Sequence, residues 1–373
     1  MSVFNLSNAI MGSGILGLSY AMSNTGIVLF LILLTCIACL SCYSVHLLLR
    51  SAGVVGIRAY EQLGLRAFGH PGKIIAAIAI TLHNIGGIAN MGNSLMRHLG
   101  YLGYTSGFSL SCMVFFLSAV SQNLELYHIF CWPHQHCTAK HSEYLFFSTG
   151  GKGQQAYTIP ILAFAFVCHP EVLPIYTELS NPTKRRMQNI GNVSILGMFI
   201  MYFFTATFGY LTFYENTEAE LLHTYSKVDP LDTLILCVRL AVLVAVTLTV
   251  PVVLFPIRRA LLQLLFPGKP FNWLRHIAIA VSLLICVNLL VIFVPNIRDI
   301  FGFTGATTAP TLIFILPGLF YIRIIPTERE PLNSRPKIQA LCFSALGFIF
   351  MTMSLTFIIL DWTTGEKRSL GGH

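Results

Sequence analysis

Glycines and polar side chains interrupt an apolar segment near the start of the chain. Asn8 is followed, four residues later, by the run Gly12-Ser13-Gly14, all within the segment 3–22. Each glycine lowers helix propensity by about 1 kcal/mol, so this run favours an unwound helix. Its freed carbonyls and amides must then line a protein cavity, because lipid cannot satisfy them, and there they suit an ion or a zwitterion. The alternative is close helix packing of the Gly-xxx-Gly kind.

A second break is predicted in the segment 157–177, where two prolines and two titratable side chains lie together. Pro170 and Pro174 each remove an amide donor and disfavour helical geometry at the preceding residue. His169 and Glu171 are ionisable at or near membrane depth, so we expect them to face a cavity or a partner. Alternatively, Glu171 lies at the cytoplasmic interface.

Two interrupted helices in one chain are typical of transporters built from inverted repeats. In that design the amino ends of half-helices face a substrate carboxylate, and the unwound carbonyls hold a cation. A further candidate is the pair Thr247 and Thr249, since hydroxyls are hard oxygen ligands suited to sodium. Both hydroxyls could instead bond back to their own helix.

The elements that position these residues are apolar segments spread over the whole chain. Of the 373 residues, 55% are hydrophobic and 10% are charged, against roughly 25% charged in a typical soluble domain. A bilayer crossing takes about 20 residues per helix, which predicts an all-α membrane protein without a separate soluble domain. The ten predicted segments are 3–22, 26–49, 74–90, 102–120, 157–177, 191–213, 231–255, 274–295, 301–324 and 338–360.

Basic residues alternate between the loops, which predicts the orientation in the lipid bilayer. Fifteen Lys and Arg fall in the loops around 50–73, 184–186, 258–275 and 323–337, against six in the intervening loops. The first group therefore marks the cytoplasmic side. This distribution also explains the net charge of +8 without a nucleic-acid partner.

The same alternation exposes a missing crossing. An odd number of spans must separate the cytoplasmic loop 50–73 from the extracellular loop 121–156, yet only two segments, 74–90 and 102–120, lie between them. Either 74–90 re-enters without crossing, or one span is missing between about 88 and 96.

Most of the ten cysteines lie in apolar segments, where we expect them to be small buried hydrophobes. Cys131 and Cys137 differ, because they share a polar loop in which a disulfide is plausible if the loop faces an oxidising compartment. Two free thiols are the alternative. The histidines nearby also permit a metal site, although the spacing fits no standard zinc pattern.

Four long motifs resemble the sodium-coupled neutral amino acid transporters, solute carrier family 38, over nearly the whole chain. They begin at Ser2 (SVFNLSNAIMGSGILGLSYAM), Phe164 (FAFVCHPEVLPIYTE), Ala245 (AVTLTVP) and Asn296 (NIRDIFG). The chain is most similar to the system N branch. The resemblance implies transport of glutamine, asparagine and histidine with sodium, in exchange for protons, across the plasma membrane.

The resemblance also implies a fold and site residues. The fold is an eleven-helix, 5+5 inverted-repeat bundle with discontinuous first and sixth helices, a cytoplasmic amino terminus and an extracellular carboxyl terminus. Sodium would be held by Asn8, a neighbouring carbonyl such as that of Ile10, and Thr247 or Thr249. The expected substrate-binding residues are Gly12, Ser13, Gly14, Phe166, Cys168 and His169. His169 and His373 are candidates for pH sensing, since imidazole titrates near physiological pH.

The chain departs from the family pattern after Gly87, where the rest of the third helix and a fourth helix are expected. Instead it continues into Arg97, at the start of a stretch that resembles the fifth helix. A truncated, transport-incompetent isoform or a non-transporting membrane sensor or scaffold is therefore the alternative function. An enzyme is not expected, because neither paired carboxylates, a zinc motif nor a serine-histidine arrangement is visible. Ten or eleven segments also exceed a seven-helix receptor.

Overall fold

The computed structural model is helical, without a strand among the described residues. Those residues are 2–11, 14–87, 102–131, 157–214, 217, 221, 224–225, 233–266, 272–275, 277–279, 281–283, 285 and 297–370. The helices are α1 (Ser2–Met11), α2 (Leu18–Thr25), α3 (Ile27–Val55), α4 (Tyr60–Gly87), α5 (Leu102–Cys131), α6 (Thr158–Ala165), α7 (His169–Glu178), α8 (Lys184–Phe213), α9 (Thr233–Leu265), α10 (Ile297–Pro310), α11 (Leu316–Ile324) and α12 (Arg335–Leu370). A 3-10 turn, Gly14–Gly17, precedes α2, and a π-helical segment, Thr311–Ile315, joins α10 to α11.

Five helical stretches in the described part of the chain are long and apolar enough to cross a bilayer. They are Ile27–Val55, Thr158–Glu178, Lys184–Phe213, Gly302–Ile324 and Arg335–Thr363. Shorter apolar helices are Ser106–Gln122, Leu236–Ala245 and Trp273–Leu283. Together they overlap eight of the ten segments predicted from hydropathy.

Several helices are longer than the apolar segments within them. The helix α5 continues to Cys131, well into the region 121–156 that we predicted as an extracellular loop. A helix can extend beyond the hydrocarbon core wherever its residues favour helix and water satisfies its end, so apolarity alone underestimates helix length. The helix α4 bends at Gly69, whose φ of 70° is readily adopted by glycine. The predicted segment 74–90 begins after this bend, and the description of α4 ends at Gly87.

The interior of the bundle is formed by the interrupted helices. The helix α6 packs against α2, α3 and α10, and α7 packs against α1, α3, α4 and α9. Gly302 and Gly305 allow α10 to approach α6 closely, since a Cβ at Gly305 would overlap the carbonyl oxygen of Pro160. By contrast, the main packing partners of α12 among the described elements are α10, α11 and the π-helical segment.

One end of the bundle joins loops that the charge pattern places on the same side. Arg50, in α3, donates to the hydroxyl of Tyr321 at 2.9 Å and pairs with Glu330 at 3.3 Å. Tyr321 in turn donates to Glu330 at 2.8 Å. The guanidinium of Arg58 lies 4.7 Å from the ring centre of Tyr176, near the end of α7. The predicted cytoplasmic loops 50–73 and 323–337 thus meet in space.

Candidate functional site

The second predicted break separates α6 from α7. Residues 166–168 are not helical, and all three are buried. Pro170 lies in the first turn of α7, a position that tolerates its missing amide hydrogen. The irregular segment is shorter than the sequence indicates, because α7 resumes at His169 and Pro174 lies inside it. One proline at a helix start therefore suffices for this break.

The first predicted break lies directly beside the second. The helix α1 ends at Met11, and Gly14 begins the 3-10 turn. Gly12 and Ser13 lie outside the described residues. A Cβ placed at Gly14 would lie 2.9 Å from the Cα of Ala165, the last residue of α6. This close approach of two backbones is available to glycine alone and brings the two breaks into contact.

Hydroxyl groups on neighbouring helices satisfy the carbonyls at the two breaks. The hydroxyl of Tyr202, on α8, lies 2.7 Å from the carbonyl oxygen of Ile10 and 2.9 Å from that of Ala165. The hydroxyl of Ser41, on α3, donates to the carbonyl of Phe166 at 3.3 Å. Helix ends leave carbonyls without intrahelical donors, and these side chains replace them. Tyr202 and Ser41 were not predicted, because each is one of several hydroxyl-bearing residues scattered through an apolar segment.

The π-helical segment is a third irregular region, which the sequence did not reveal. The hydroxyl of Tyr60 donates to the carbonyl of Leu312 at 2.9 Å, and Ser44 donates to the carbonyl of Ile313. A π-helical segment changes the backbone hydrogen-bonding pattern and is frequent at functional sites. Hydroxyls of α3 and α4 thus donate hydrogen bonds to two carbonyls of this segment.

Asn8 belongs to a buried polar cluster that joins three helices. Its side chain is 1% exposed, and its Oδ1 accepts from Ser109 of α5 at 2.8 Å. Ser109 also lies within 2.9 Å of the carbonyl of Ala245 on α9, and the Asn8 amide donates to Ser106 at 3.4 Å. Amide, hydroxyl and carbonyl oxygens are the hard ligands that alkali and alkaline-earth cations prefer. Neither serine belongs to a motif that could have predicted its role.

The two threonines predicted as ion ligands follow Ala245 on the same helix. Thr247 and Thr249 lie in α9, but their side chains lie outside the described part of the structure. The position of α9 beside Asn8 therefore brings the predicted ion residues of two distant segments to one region. Which of the two threonines would bind an ion stays open.

His169 is completely buried at the start of α7. Neither of its ring nitrogens has a hydrogen-bond partner among the described residues. His83 lies near the same break, with its ring 4.7 Å from that of Phe164 and its Nδ1 3.3 Å from the Thr308 hydroxyl. A buried imidazole without a partner is costly, which makes His169 a strong candidate for ligand contact.

Other predicted site residues are not tested by the structure. His373 and Cys137 lie outside the described residues, as does the side chain of Cys131 at the end of α5. Within the described residues, no group of three or more His, Cys, Asp or Glu side chains could hold a metal ion.

Comparisons with known proteins identify the family. The family model described as transmembrane amino acid transporter protein matches residues 1–91 and 87–360. The sodium-coupled neutral amino acid symporter 2 of Danio rerio is 49% identical over 435 residues, covering 100% of this chain and 85% of its own. A manganese transporter from Eremococcus coleocola, solved with an aromatic bis-isothiourea compound, superposes with a TM-score of 0.51 at 11% identity. That superposition covers 96% of this chain and 86% of the other, and supports the fold alone.

The two family matches meet within the chain, at residues 87–91. The alignment with the Danio rerio protein is also longer than the 373 residues of this chain, so that relative contains residues without a counterpart here. Despite this difference, the matches together extend over nearly all of the sequence. The chain belongs to the transmembrane amino acid transporter family, whose members are multi-pass membrane proteins and not enzymes.

Proposed function

We propose that the protein is a sodium-coupled transporter of small neutral amino acids in the plasma membrane, working by alternating access around its two helix breaks. The contact between Gly14 and Ala165 carries this proposal, because it joins two interrupted helices in the buried centre. Inverted-repeat transporters bind substrate and ions at such discontinuities near the bilayer midplane, and we propose a 5+5 repeat for this chain. The sodium-coupled function of the Danio rerio relative supports the choice of ion and substrate class.

The proposed substrate site lies between the two breaks. It comprises Gly12, Ser13, Gly14, Phe166, Cys168 and His169. The amino end of α7 favours the substrate carboxylate through the helix dipole, and carbonyls at the unwound segments suit the ammonium group. His169, whose ring nitrogens have no partner among the described residues, favours substrates with a hydrogen-bonding side chain. Glutamine, asparagine and histidine have such side chains.

The proposed sodium site comprises Asn8, the carbonyl of Ile10, and Thr247 or Thr249. The polar cluster at Asn8 supports this site. In it, the Ser109 hydroxyl lies within hydrogen-bonding distance of both the Asn8 side-chain oxygen and the Ala245 carbonyl. Sodium is the co-transported ion in this proposal, and no organic cofactor is required.

Substituting Asn8 tests the ion site. We expect Asn8→Ala to raise the sodium concentration for half-maximal glutamine uptake about tenfold, equivalent to about 1.4 kcal/mol, because one oxygen ligand is lost. Asn192→Ala is the matched control, since that amide is exposed on α8 and accepts a hydrogen bond from Gln188 on its own helix. An unchanged sodium dependence in Asn8→Ala would contradict the assignment.

Orientation, pH response and the disulfide complete the proposal. We place the amino terminus in the cytoplasm and the carboxyl terminus outside, since Arg50 and Glu330 join two basic loops at one end of the bundle. A bridge between Cys131 and Cys137 then forms on the oxidising side. His169 and the terminal His373 are the proposed sensors of pH during proton exchange.

A transport-incompetent form is the second candidate, and specific observations favour it. The two family matches meet at 87–91. The ring of His83 lies 4.7 Å from that of Phe164, so the end of α4 lies close to the depth of the break. Asn8 contacts Ser106 in the first turns of α5. In this candidate, the rest of the third helix and the fourth helix of the family pattern are absent between these points, which would leave the bundle open.

Restoring the missing segment separates the two candidates. Uptake of radiolabelled glutamine, with and without sodium, is compared between this chain and a version carrying about 50 additional residues after Gly87, enough for one span and the end of another. A transport-incompetent form predicts sodium-dependent uptake only in the restored version. Equal uptake by both chains would exclude that alternative, and uptake by neither would exclude transport.

A further inference from the structure

A single hydroxyl group connects the two broken helices. Tyr202 is completely buried, and its hydroxyl lies 2.7 Å from the carbonyl oxygen of Ile10 and 2.9 Å from that of Ala165. The Met11 carbonyl is also close, at 3.4 Å. A phenol has one hydrogen to donate. That hydrogen is therefore shared between the ends of α1 and α6.

Hydrogen bonds on both sides of Tyr202 along α8 fix its position against the first broken helix. Nearer the start of that helix, Ser194 donates to the carbonyl of Val3 at 3.3 Å, and three residues beyond Tyr202 the Thr205 carbonyl accepts from Ser19 at 3.2 Å. Positions 194, 202 and 205 lie on one helical face, so α8 lies along the whole of the first broken helix. The Tyr202 ring also packs edge-on against Phe166, with 5.2 Å between centroids.

We propose that Tyr202 is a positioning residue that couples sodium binding to amino acid binding. This inference rests on the proposed function, which places the Ile10 carbonyl in the sodium site and the end of α6 beside the substrate. Sodium on the Ile10 carbonyl orders the end of α1. The shared hydroxyl transmits that order to Ala165, so the amino acid then binds to a segment that is already arranged.

The coupling has a thermodynamic consequence. When one ligand orders a segment that the second ligand needs, the second binds more tightly. The effect is reciprocal, and couplings between sites are commonly about 5- to 150-fold. Tyr202→Phe keeps the ring and its contact with Phe166 but removes the hydroxyl. Each helix end must then be ordered separately, and sodium no longer improves amino acid binding.

The test measures binding by the whole chain in lipid nanodiscs, with radiolabelled glutamine as the probe. The dissociation constant is determined in sodium and in choline. The wild-type chain should bind glutamine at least about fivefold more tightly in sodium, and Tyr202→Phe should reduce that ratio to below about twofold. A variant that keeps the wild-type ratio overturns the inference and leaves the proposed function intact.

Tyr60→Phe is the matched control. Tyr60 is also buried, and its hydroxyl donates to the Leu312 carbonyl at 2.9 Å, outside the two breaks. The control should keep the wild-type ratio. If Tyr60→Phe reduces the sodium effect as much as Tyr202→Phe does, then the loss of any buried tyrosine hydroxyl abolishes the effect. The specific role assigned to Tyr202 would then be wrong. If the wild-type chain shows no sodium effect, the proposed sodium coupling fails and the inference fails with it.

A second measurement does not depend on a variant folding. Sodium alone, without amino acid, should slow amide hydrogen exchange in the wild-type peptide that covers 163–172, because the order is transmitted through Tyr202. Exchange that slows at the end of α1 but not in this peptide overturns the inference.

Discussion

The segment Thr158–Glu178 and the outer helix α12 are both apolar enough to cross a bilayer, yet their surroundings differ. The most apolar window of the first is 94% buried within the bundle, whereas that of Arg335–Thr363 is 28% buried. The first segment is broken between α6 and α7, while the second is continuous. Non-helical backbone at membrane depth needs protein or a cavity around it. Only the enclosed segment meets that condition.

Polar side chains differ in the same way between the two regions. Around the inner segment, the hydroxyls of Ser41 and Tyr202 donate to carbonyls of another helix. On α12, Thr352 and Thr356 donate to carbonyls of their own helix. Interior hydroxyls thus support broken backbone, and so does Ser344 of α12, which is buried against the π-helical segment and donates to the Ile315 carbonyl. The exposed threonines of α12 instead duplicate bonds that the helix already makes.

The largest effect is expected where α10 presses on the inner segment. Gly305→Val would drive a side chain into the Pro160 carbonyl, and neither backbone can yield without moving a helix. Overpacking of a core costs about 1–3 kcal/mol or more, so we expect little folded protein by fluorescence-detected size-exclusion chromatography. Gly197→Val is the control, because a Cβ there meets nothing within 4 Å. Equal yields of both variants would contradict the enclosed packing of α6.

The sequence predicts the inner break well because its cause is local. Pro170 cannot donate a backbone hydrogen bond, and no distant contact is needed to infer an interruption before it. Apolar segments likewise predict the helices, since length and composition decide a crossing. The bend at Gly69 and the extension of α5 to Cys131 were not predicted, because neither depends on apolarity.

The partners of the break could not be predicted in the same way. Tyr202 and Ala165 are 37 residues apart, and Ser109 and Asn8 are 101 apart. A membrane helix that is apolar on all sides has no amphipathic pattern to show which side chain faces which neighbour. Packing between helices decides these contacts. The site was therefore predictable as a pair of backbone breaks, but not as the network of hydroxyls that holds them.

An intermediate effect is expected from one leucine substitution made in each region. Leu162 on α6 is fully buried, and Leu341 on α12 is 57% exposed. Leu162→Ala leaves a cavity, which costs about 2–5 kcal/mol in well-packed cores. Leu341→Ala exchanges contacts with lipid, which fills the vacated space. Heating in detergent followed by chromatography should show a lower midpoint temperature of unfolding for Leu162→Ala alone. Similar decreases in both variants would contradict the difference between the inner segment and α12.

The smallest effect is expected from removing single hydroxyls. Ser41→Ala leaves the buried carbonyl of Phe166 without the donor that the structure provides, at a cost of about 1–3 kcal/mol. In Thr352→Ala, the lost hydroxyl contacts the Phe348 and Ile349 carbonyls of its own helix, which already accept from backbone amides, so the change should stay within about 0.5 kcal/mol. Ser41→Ala should also weaken glutamine binding, because Phe166 lies in the proposed substrate site. A stability loss in Ser41→Ala without any change in glutamine binding would mean that Ser41 only supports the backbone. A stability loss of the same size in Thr352→Ala would contradict the distinction between enclosed and outer hydroxyls.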